Sequence, residues 1–118
     1  MSRKPYQPTI LTVLFLTGGV RKGYRAGLYL SNWLLASQMI GHEASLEEYG
    51  EWWIKSRATC YRERGFLAAS LPKGIEPGAV EHALWLNLQS RKAGHKAATN
   101  EAEALAELSG LPWSVVVA

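Results

Sequence analysis

The sequence predicts an all-α fold, a compact helical domain with a helix-turn-helix near its centre. Three observations support this fold class. Long runs of good helix formers end at glycine or at a Leu-Pro pair, and Ser or Asn stands at the predicted starts of three helices. No pair of strand-like runs joined by a hairpin turn occurs before residue 78, so a β-hairpin wing is not expected. A chain of 118 residues with 47% hydrophobic content is long enough for one modest core, and we expect one domain over residues 9–118.

The N-terminal third is predicted to contain an arm, an apolar segment and a long helix. Residues 1–8 hold two prolines and two basic side chains, which is typical of a flexible basic arm. Residues 10–16 form a continuous apolar run that fits a short helix starting after Thr9 or a buried strand, and the helix is preferred. Two consecutive glycines at 18 and 19 interrupt the chain, and a long helix over residues 24–40 follows and stops at the next glycine.

Two short helices are predicted at the centre of the chain. Ser45 is followed three residues later by a glutamate, which is a capping box, and it opens a helix over residues 46–53. Ser56 is the cap of a second helix over residues 57–70, which a Leu-Pro pair must end. Together these two helices form the predicted helix-turn-helix at about 45–71.

The C-terminal third is predicted to hold two more helices and a short extended tail. An apolar stripe marks a helix over residues 78–92, and Asn100 with Glu103 forms a capping box for a short helix that ends near Ser109. Three consecutive valines favour extended structure over residues 111–118. This tail is interpreted either as a strand or as a segment that binds a partner.

Charge and cysteine content limit the function classes. The formal net charge is +3, but residues 1–73 carry ten Lys/Arg against five Glu, whereas residues 74–118 carry three against five. A positive half of this kind suits phosphate neutralisation. No apolar stretch approaches the roughly 20 residues that span a bilayer, and no signal peptide is expected. The single cysteine, Cys60, cannot form an intramolecular disulfide, so a reducing, cytoplasmic location is expected.

The candidate site lies where the two central helices meet. Because almost no linker separates them, they must cross steeply, and the crossing requires a small residue on the first helix. Gly50 is that residue, and Cys60 is the predicted buried contact on the second helix. Tyr49 and Trp53, four residues apart, are predicted to share the buried face of the first helix.

The outward face of the second helix is predicted to read DNA bases. If this helix enters a major groove, the side chains that face outward near its start meet base edges. These residues are Arg57, Ala58, Tyr61 and Arg62. Arg57, directly after the cap, is the foremost candidate. Two alternatives stay open. In the first, Arg62 pairs with Glu63 or Glu48 as part of the scaffold. In the second, Tyr61 lies in the core.

A second set of side chains is predicted to hold phosphates and so to position the domain without reading sequence. It consists of Lys55, Ser56, Thr59, Arg64, Arg21, Lys22 and Arg25. For the three basic residues near the start of the long helix, an ordinary solvated helix start is the open alternative. The arm at 1–8 would follow a minor groove.

The central stretch resembles known DNA-binding motifs. Helix-turn-helices of the lac-repressor class have Ala or Gly on the first helix, then a turn and Ser-x-x-Thr, and Gly50, Ser56 and Thr59 match in register. Residues 10–72 also resemble small uncharacterised helix-turn-helix proteins of actinobacteria and their phages. The resemblance implies a sequence-specific transcriptional regulator of phage, prophage or mobile-element type. It departs at the turn, where glycine then an aliphatic residue is expected and Ile54 then Lys55 stand.

Enzymatic function is not expected. The chain has no Asp, and its carboxylates are predicted on solvent-facing surfaces, which leaves no acid–base pair or catalytic triad. The glycine-rich stretch 18–23 lacks the Gly-Lys-Ser/Thr end of a phosphate-binding loop. The three histidines and Cys60 are too far apart to predict a metal site, and no cofactor is predicted.

The predicted partner is double-stranded DNA, bound by a homodimer that forms through the C-terminal helices. A short reading surface usually needs two half-sites for useful specificity. The alternative is a protein-binding module, a phage-type effector that docks on a host protein and does not bind DNA. Five Trp residues, the acidic C-terminal half, and Trp85 and Leu86 beside the apolar stripe favour this alternative.

Overall fold

The computed structural model describes residues 8–90, which form four α-helices and no strand. The helices are α1 (Ile10–Ile40), α2 (Leu46–Trp53), α3 (Arg57–Ser70) and α4 (Pro77–Ser90). The all-α class and the predicted bounds of α2 and α3 are confirmed. Within residues 8–90 no helix is both long and apolar enough to cross a membrane. The predicted arm up to residue 7, the helix near 100–109 and the tail at 111–118 lie outside the described residues.

Helix α1 consists of two parts joined at a sharp kink. Gly19 has φ 74° and ψ 158°, in the left-handed half of backbone space that glycine adopts without strain. Past the kink the helix crosses back over its own first part, so that a Cβ added to Gly23 would lie 2.6 Å from the carbonyl oxygen of Leu14. The predicted helix at 10–16 and the predicted break are therefore confirmed. The second part, however, begins at Val20, one turn before the predicted start at residue 24.

The connection from α1 to α2 is fixed by local hydrogen bonds. Gly41 ends α1 with φ 89°, and its N–H donates to the carbonyl of Ser37 at 2.9 Å. The indole Nε1 of Trp33 donates to the carbonyl of Ala44 at 2.8 Å. Ser45 then starts α2 with the predicted capping box, in which its side chain accepts from the N–H of Glu48 at 3.1 Å. These bonds set the direction in which α2 leaves α1.

One apolar core joins all four helices, and α1 makes its most extensive packing contacts with α3. The largest fully buried side chains are those of Trp33, Tyr29, Tyr49, Ile10, Leu14, Leu30, Leu34, Leu67, Leu84, Val80 and Cys60. Since both parts of α1 contribute to this core, α3 is supported along its length by the long helix. The outer side of α3 is left facing solvent.

Helix α4 is attached to α1 and α3 through a buried carboxylate. Glu81 is 7% exposed, and it accepts a hydrogen bond from the Tyr29 hydroxyl at 2.5 Å and one from Arg64 Nη2 at 2.9 Å. Burial of the phenol, followed by the negative charge of Glu81, raises the pKa of Tyr29, so the hydroxyl remains a donor. The helix begins at Pro77, one residue before the predicted start, because the fixed φ of proline suits the first helical position.

Candidate nucleic-acid interface

Helices α2 and α3 cross closely at Gly50. A Cβ at this position would lie 2.8 Å from the Cys60 sulfur and 3.2 Å from the carbonyl oxygen of Lys55. Cys60 is 2% exposed and Gly50 is buried. The predicted small residue and its predicted buried contact are both found at the crossing. Their packing fixes α3 relative to α2.

The turn between the two helices has a left-handed residue where the resemblance led us to expect glycine. Ile54 has φ 55° and ψ 56°, and the next N–H, that of Lys55, donates to the carbonyl of Gly50 at 2.9 Å. A β-branched side chain in this conformation is strained by about 1–2 kcal/mol. The Ile54 side chain is 92% exposed, so burial in the domain does not offset that strain. The turn therefore has the backbone of a glycine turn although its sequence departs from the pattern.

Replacing Ile54 with Gly is expected to stabilise the domain by about 1 kcal/mol, because glycine relieves the strain and little buried contact is lost. Urea unfolding measures this change. Gly74→Ala is the reverse control, since Gly74 has φ 91° and open space around its Cβ position, and alanine there is expected to destabilise by a similar amount. A loss of stability in Ile54→Gly would mean that the isoleucine contributes to folding.

The start of α3 is capped as predicted. The Ser56 hydroxyl oxygen accepts from the N–H of Thr59 at 3.2 Å and the hydroxyl donates to Thr59 Oγ1 at 2.9 Å. Ser56 is exposed and Thr59 is half-buried. Of the two hydroxyls predicted to hold phosphate, Ser56 is therefore the more accessible, and Thr59 mainly supports it.

The four residues predicted to face outward from α3 are all exposed: Arg57, Ala58, Tyr61 and Arg62. The Arg57 guanidinium lies over the Tyr61 ring, 5.5 Å from its centroid, and Tyr61 is 56% exposed, which excludes the core alternative. Within residues 8–90 Arg62 forms no ion pair, and its two alternative partners, Glu63 and Glu48, bind other side chains. Both arginines are therefore available to a ligand.

Lys55 and Arg64 do not face outward in this way. Lys55 Nζ pairs with both oxygens of Glu63 at 2.7 and 2.8 Å, and the Tyr49 hydroxyl donates to the same carboxylate at 2.6 Å. Arg64 pairs with Glu81 at 2.9 Å. The phosphate-holding role predicted for Lys55 and Arg64 stays a prediction, and in this structure a carboxylate pairs with each of the two cations. The Lys55–Glu63 pair fixes the turn to α3, and the Arg64–Glu81 pair fixes α3 to α4.

Three further predicted cations lie on α1 beside α3. Arg21, Lys22 and Arg25 are exposed in the part of α1 that follows the kink. The Arg25 guanidinium lies 4.9 Å from the ring centroid of Phe66, which is one turn beyond Arg62 on α3. The structure thus places Arg25 next to the outward face of α3, with the other two cations nearer the kink.

An open groove of about 780 Å³ separates α2 from α3 on the outer surface. Glu47 and Glu51 lie on its α2 side, Arg57 and Tyr61 lie on its α3 side, and Ile54 lies at its end. Neither glutamate forms an ion pair within residues 8–90. This groove was not predicted from the sequence, although the spacing of four residues between the glutamates indicates a shared face. The groove makes the α2 side of the site acidic and leaves the α1 side basic.

Cys60 and the two described histidines are the remaining candidates for nucleophilic or metal chemistry. Burial raises the pKa of the Cys60 thiol, which disfavours the nucleophilic thiolate. His42 and His82 contact Glu48 and Glu43 at the surface, and among residues 8–90 no three potential ligands come together to hold a metal. What the site offers a ligand is a helix face with two exposed arginines that form no ion pair within residues 8–90.

No protein-family model, curated protein or solved structure matches the chain. The function proposed below therefore depends on the contacts, exposure and charges of the residues themselves.

Proposed function

We propose that this protein binds double-stranded DNA in a sequence-specific manner through α3 and serves as a small transcriptional regulator. The observation that carries the proposal is the pair of exposed arginines, Arg57 and Arg62, on the outward face of a helix whose start is capped. Neither arginine forms an ion pair within residues 8–90, whereas the neighbouring Lys55 and Arg64 do. The small Ala58 between them lets the helix approach a groove closely.

Direct readout would come from the first turns of α3. Arg57 carries the planar donor pair that recognises the O6 and N7 atoms of guanine in the major groove. Its stacking on Tyr61 restricts the guanidinium to few orientations, which lowers the entropy lost on binding. The Ala58 methyl group suits apolar contact with a thymine methyl, and Arg62 lies one turn further along the groove.

Phosphate contacts would come from the helix start and from α1. The exposed Ser56 hydroxyl and the free N–H groups at the α3 start face the DNA backbone, where a helix N-terminus favours anions. Arg25, beside Phe66, extends this positive surface on the α1 side, followed by Arg21 and Lys22. One helix face is a short reading surface, so a dimer or adjacent copies on two half-sites is part of the proposal.

The proposal is tested by fluorescence anisotropy with two labelled duplexes, one of random sequence and one from beside the protein's own gene, at two salt concentrations. Arg57→Ala is expected to weaken binding to the preferred duplex by about 10- to 100-fold and to remove the preference, because a base-reading donor pair is lost. The matched control is Lys73→Ala, which removes one exposed positive charge from the loop after α3. The Lys73→Ala variant is expected to keep the preference for the duplex from beside the protein's own gene.

A protein-binding role is the second candidate, and the exposed apolar side chains favour it. Ile54 at the end of the groove is 92% exposed, Trp52 of α2 is 42% exposed, and Leu86 of α4 is 53% exposed. Failure of the wild type to bind either duplex at low salt contradicts DNA binding and favours this role.

A further inference from the structure

The groove between α2 and α3 has rims of opposite charge. Glu47 and Glu51 form an acidic rim on α2, and Arg57 with Tyr61 forms a basic rim on α3. All four side chains are exposed, and neither the two glutamates nor Arg57 forms an ion pair within residues 8–90. Because the acidic rim repels the phosphates of a duplex, the proposed DNA contact leaves this rim without a partner.

An exposed apolar side chain lies at the end of the same groove. Ile54 is 92% exposed, and its backbone is left-handed with φ 55°, a conformation that glycine adopts without strain. Strained backbone of this kind clusters at functional sites, where another interaction offsets its cost. A strained and exposed isoleucine between two charged rims therefore indicates a contact with a partner.

We propose that the partner is a second copy of this chain, docked groove to groove. A two-fold axis that runs along the groove exchanges its two sides, so the acidic rim of each copy lies opposite the basic rim of the other. The same rotation leaves each end of the groove in place, and the two Ile54 side chains therefore meet at one end. The second copy thus supplies acidic, basic and apolar groups where the first copy presents their complements.

The charge pattern selects this arrangement over the other face-to-face dimer. A two-fold axis across the groove brings the two acidic rims together, and like-charge repulsion disfavours that arrangement. Arg62, exposed next to Tyr61 in the sequence, adds a second cation on the α3 side. Each copy then contributes two carboxylates and two guanidinium groups, so the interface is balanced in charge.

Docking of two copies covers the face of α3 that the proposed function assigns to DNA. A duplex and a second copy therefore compete for Arg57. This dimer is a state of the protein without DNA, and it differs from the dimer predicted through the C-terminal helices, which leaves α3 accessible. The competition rests on the proposed function, whereas the dimer itself does not.

The dimer is tested with the full chain, without DNA, by sedimentation velocity over a range of protein concentrations. We expect the wild type to dimerise, and E47K/E51K and R57E/R62E each to weaken the dimer at least about tenfold, because each gives both rims the same charge. Mixing the two variants is expected to restore a dimer, since an all-positive groove then faces an all-negative one. Both variants replace exposed side chains, and circular dichroism checks that they keep the helical fold.

The matched control is R21E/K22E, which makes the same change in net charge as R57E/R62E but on α1, outside the groove. This control is expected to leave the dimer unchanged. Three results overturn the proposal: a wild type that stays monomeric, a dimer that neither charge variant weakens, or a mixture of folded variants that stays monomeric.

Ile54→Gly separates the dimer contact from folding and does not depend on the charge variants. The substitution that is expected to stabilise the monomer is also expected to weaken the dimer at least about tenfold, because the apolar contact between the two isoleucines is lost. A folding defect cannot produce these opposite effects. A variant that dimerises as the wild type does overturns the proposal.

The competition with DNA is tested with the same variant, which leaves the charge unchanged. At a protein concentration at which about 90% of the wild type is dimeric, Ile54→Gly is expected to bind the duplex about tenfold more tightly than the wild type. A weakened dimer with unchanged duplex affinity overturns the competition. A wild-type dimer without duplex binding by either protein supports the interface and rejects DNA binding, so the two proposals fail separately.

Discussion

Gly23→Ala is expected to destabilise the domain by about 3 kcal/mol, although alanine normally stabilises a helix interior by about 1 kcal/mol relative to glycine. The reason is the crossing within α1. The new Cβ would lie 2.6 Å from both the Leu14 carbonyl oxygen and the Phe15 Cα. These are backbone atoms, so no side-chain rotation relieves the overlap. The first part of α1 must move, and it takes the buried Ile10 and Leu14 side chains out of the core.

Urea unfolding followed by tryptophan fluorescence measures this loss, and Gly65→Ala is the matched control. Gly65 is a helical glycine of α3 with no atom within 4 Å of its Cβ position. Alanine there is expected to stabilise the domain by about 0.5–1 kcal/mol. Equal stability gains in the two variants would show that the first part of α1 does not cross residue 23.

The helix ends could be predicted from the sequence because their signals act locally. The hydroxyls of Ser45 and Ser56 each accept an N–H three residues along the chain. Gly41 satisfies a carbonyl four residues back by adopting positive φ. None of these contacts depends on the remainder of the fold. The predicted bounds of α2 and α3 therefore agree with the structure.

The path of α1 could be predicted only in part. Two consecutive glycines indicated a break, but its direction depends on what the glycines touch. Gly18 packs against Ser70 at the end of α3, and Gly23 packs against Leu14. Contacts of this kind are fixed by three-dimensional packing and leave no periodic pattern in the sequence. The long helix consequently begins earlier than its apolar pattern indicated.

The candidate site, like the path of α1, could be predicted only in part. Helical periodicity sufficed to predict which side chains of α3 face solvent, as Arg57 and Arg62 illustrate. It could not predict which cations are neutralised. Lys55 pairs across the turn with Glu63, and Arg64 pairs with a residue of α4. Spacing along one helix contains no information on partners from another element.

Glu81→Ala is expected to cost about 3 kcal/mol of unfolding free energy, because removing one partner of a buried pair typically costs about 3–5 kcal/mol. The substitution leaves the buried Tyr29 hydroxyl and the Arg64 guanidinium without their acceptor. The Arg64 side chain is 37% exposed and regains some hydration, which puts the expected cost at the lower end of the range. Urea unfolding measures the cost. The exposed Glu51→Ala is the control and is expected to change stability by less than about 0.5 kcal/mol.

Arg64→Met separates the structural role of this arginine from the phosphate contact that the sequence predicted. A double-mutant cycle compares the unfolding free energies of Arg64→Met, Glu81→Ala and the variant that carries both changes. If Arg64 acts through Glu81, this cycle gives a coupling free energy of about 1–3 kcal/mol. The salt dependence of duplex binding then stays that of the wild type, because no phosphate contact is lost. A variant that keeps its stability but lowers the salt slope by about one unit would instead show that Arg64 leaves Glu81 and binds a phosphate in the complex. We expect the first result, since Glu81 is 7% exposed and an unpaired carboxylate there is costly.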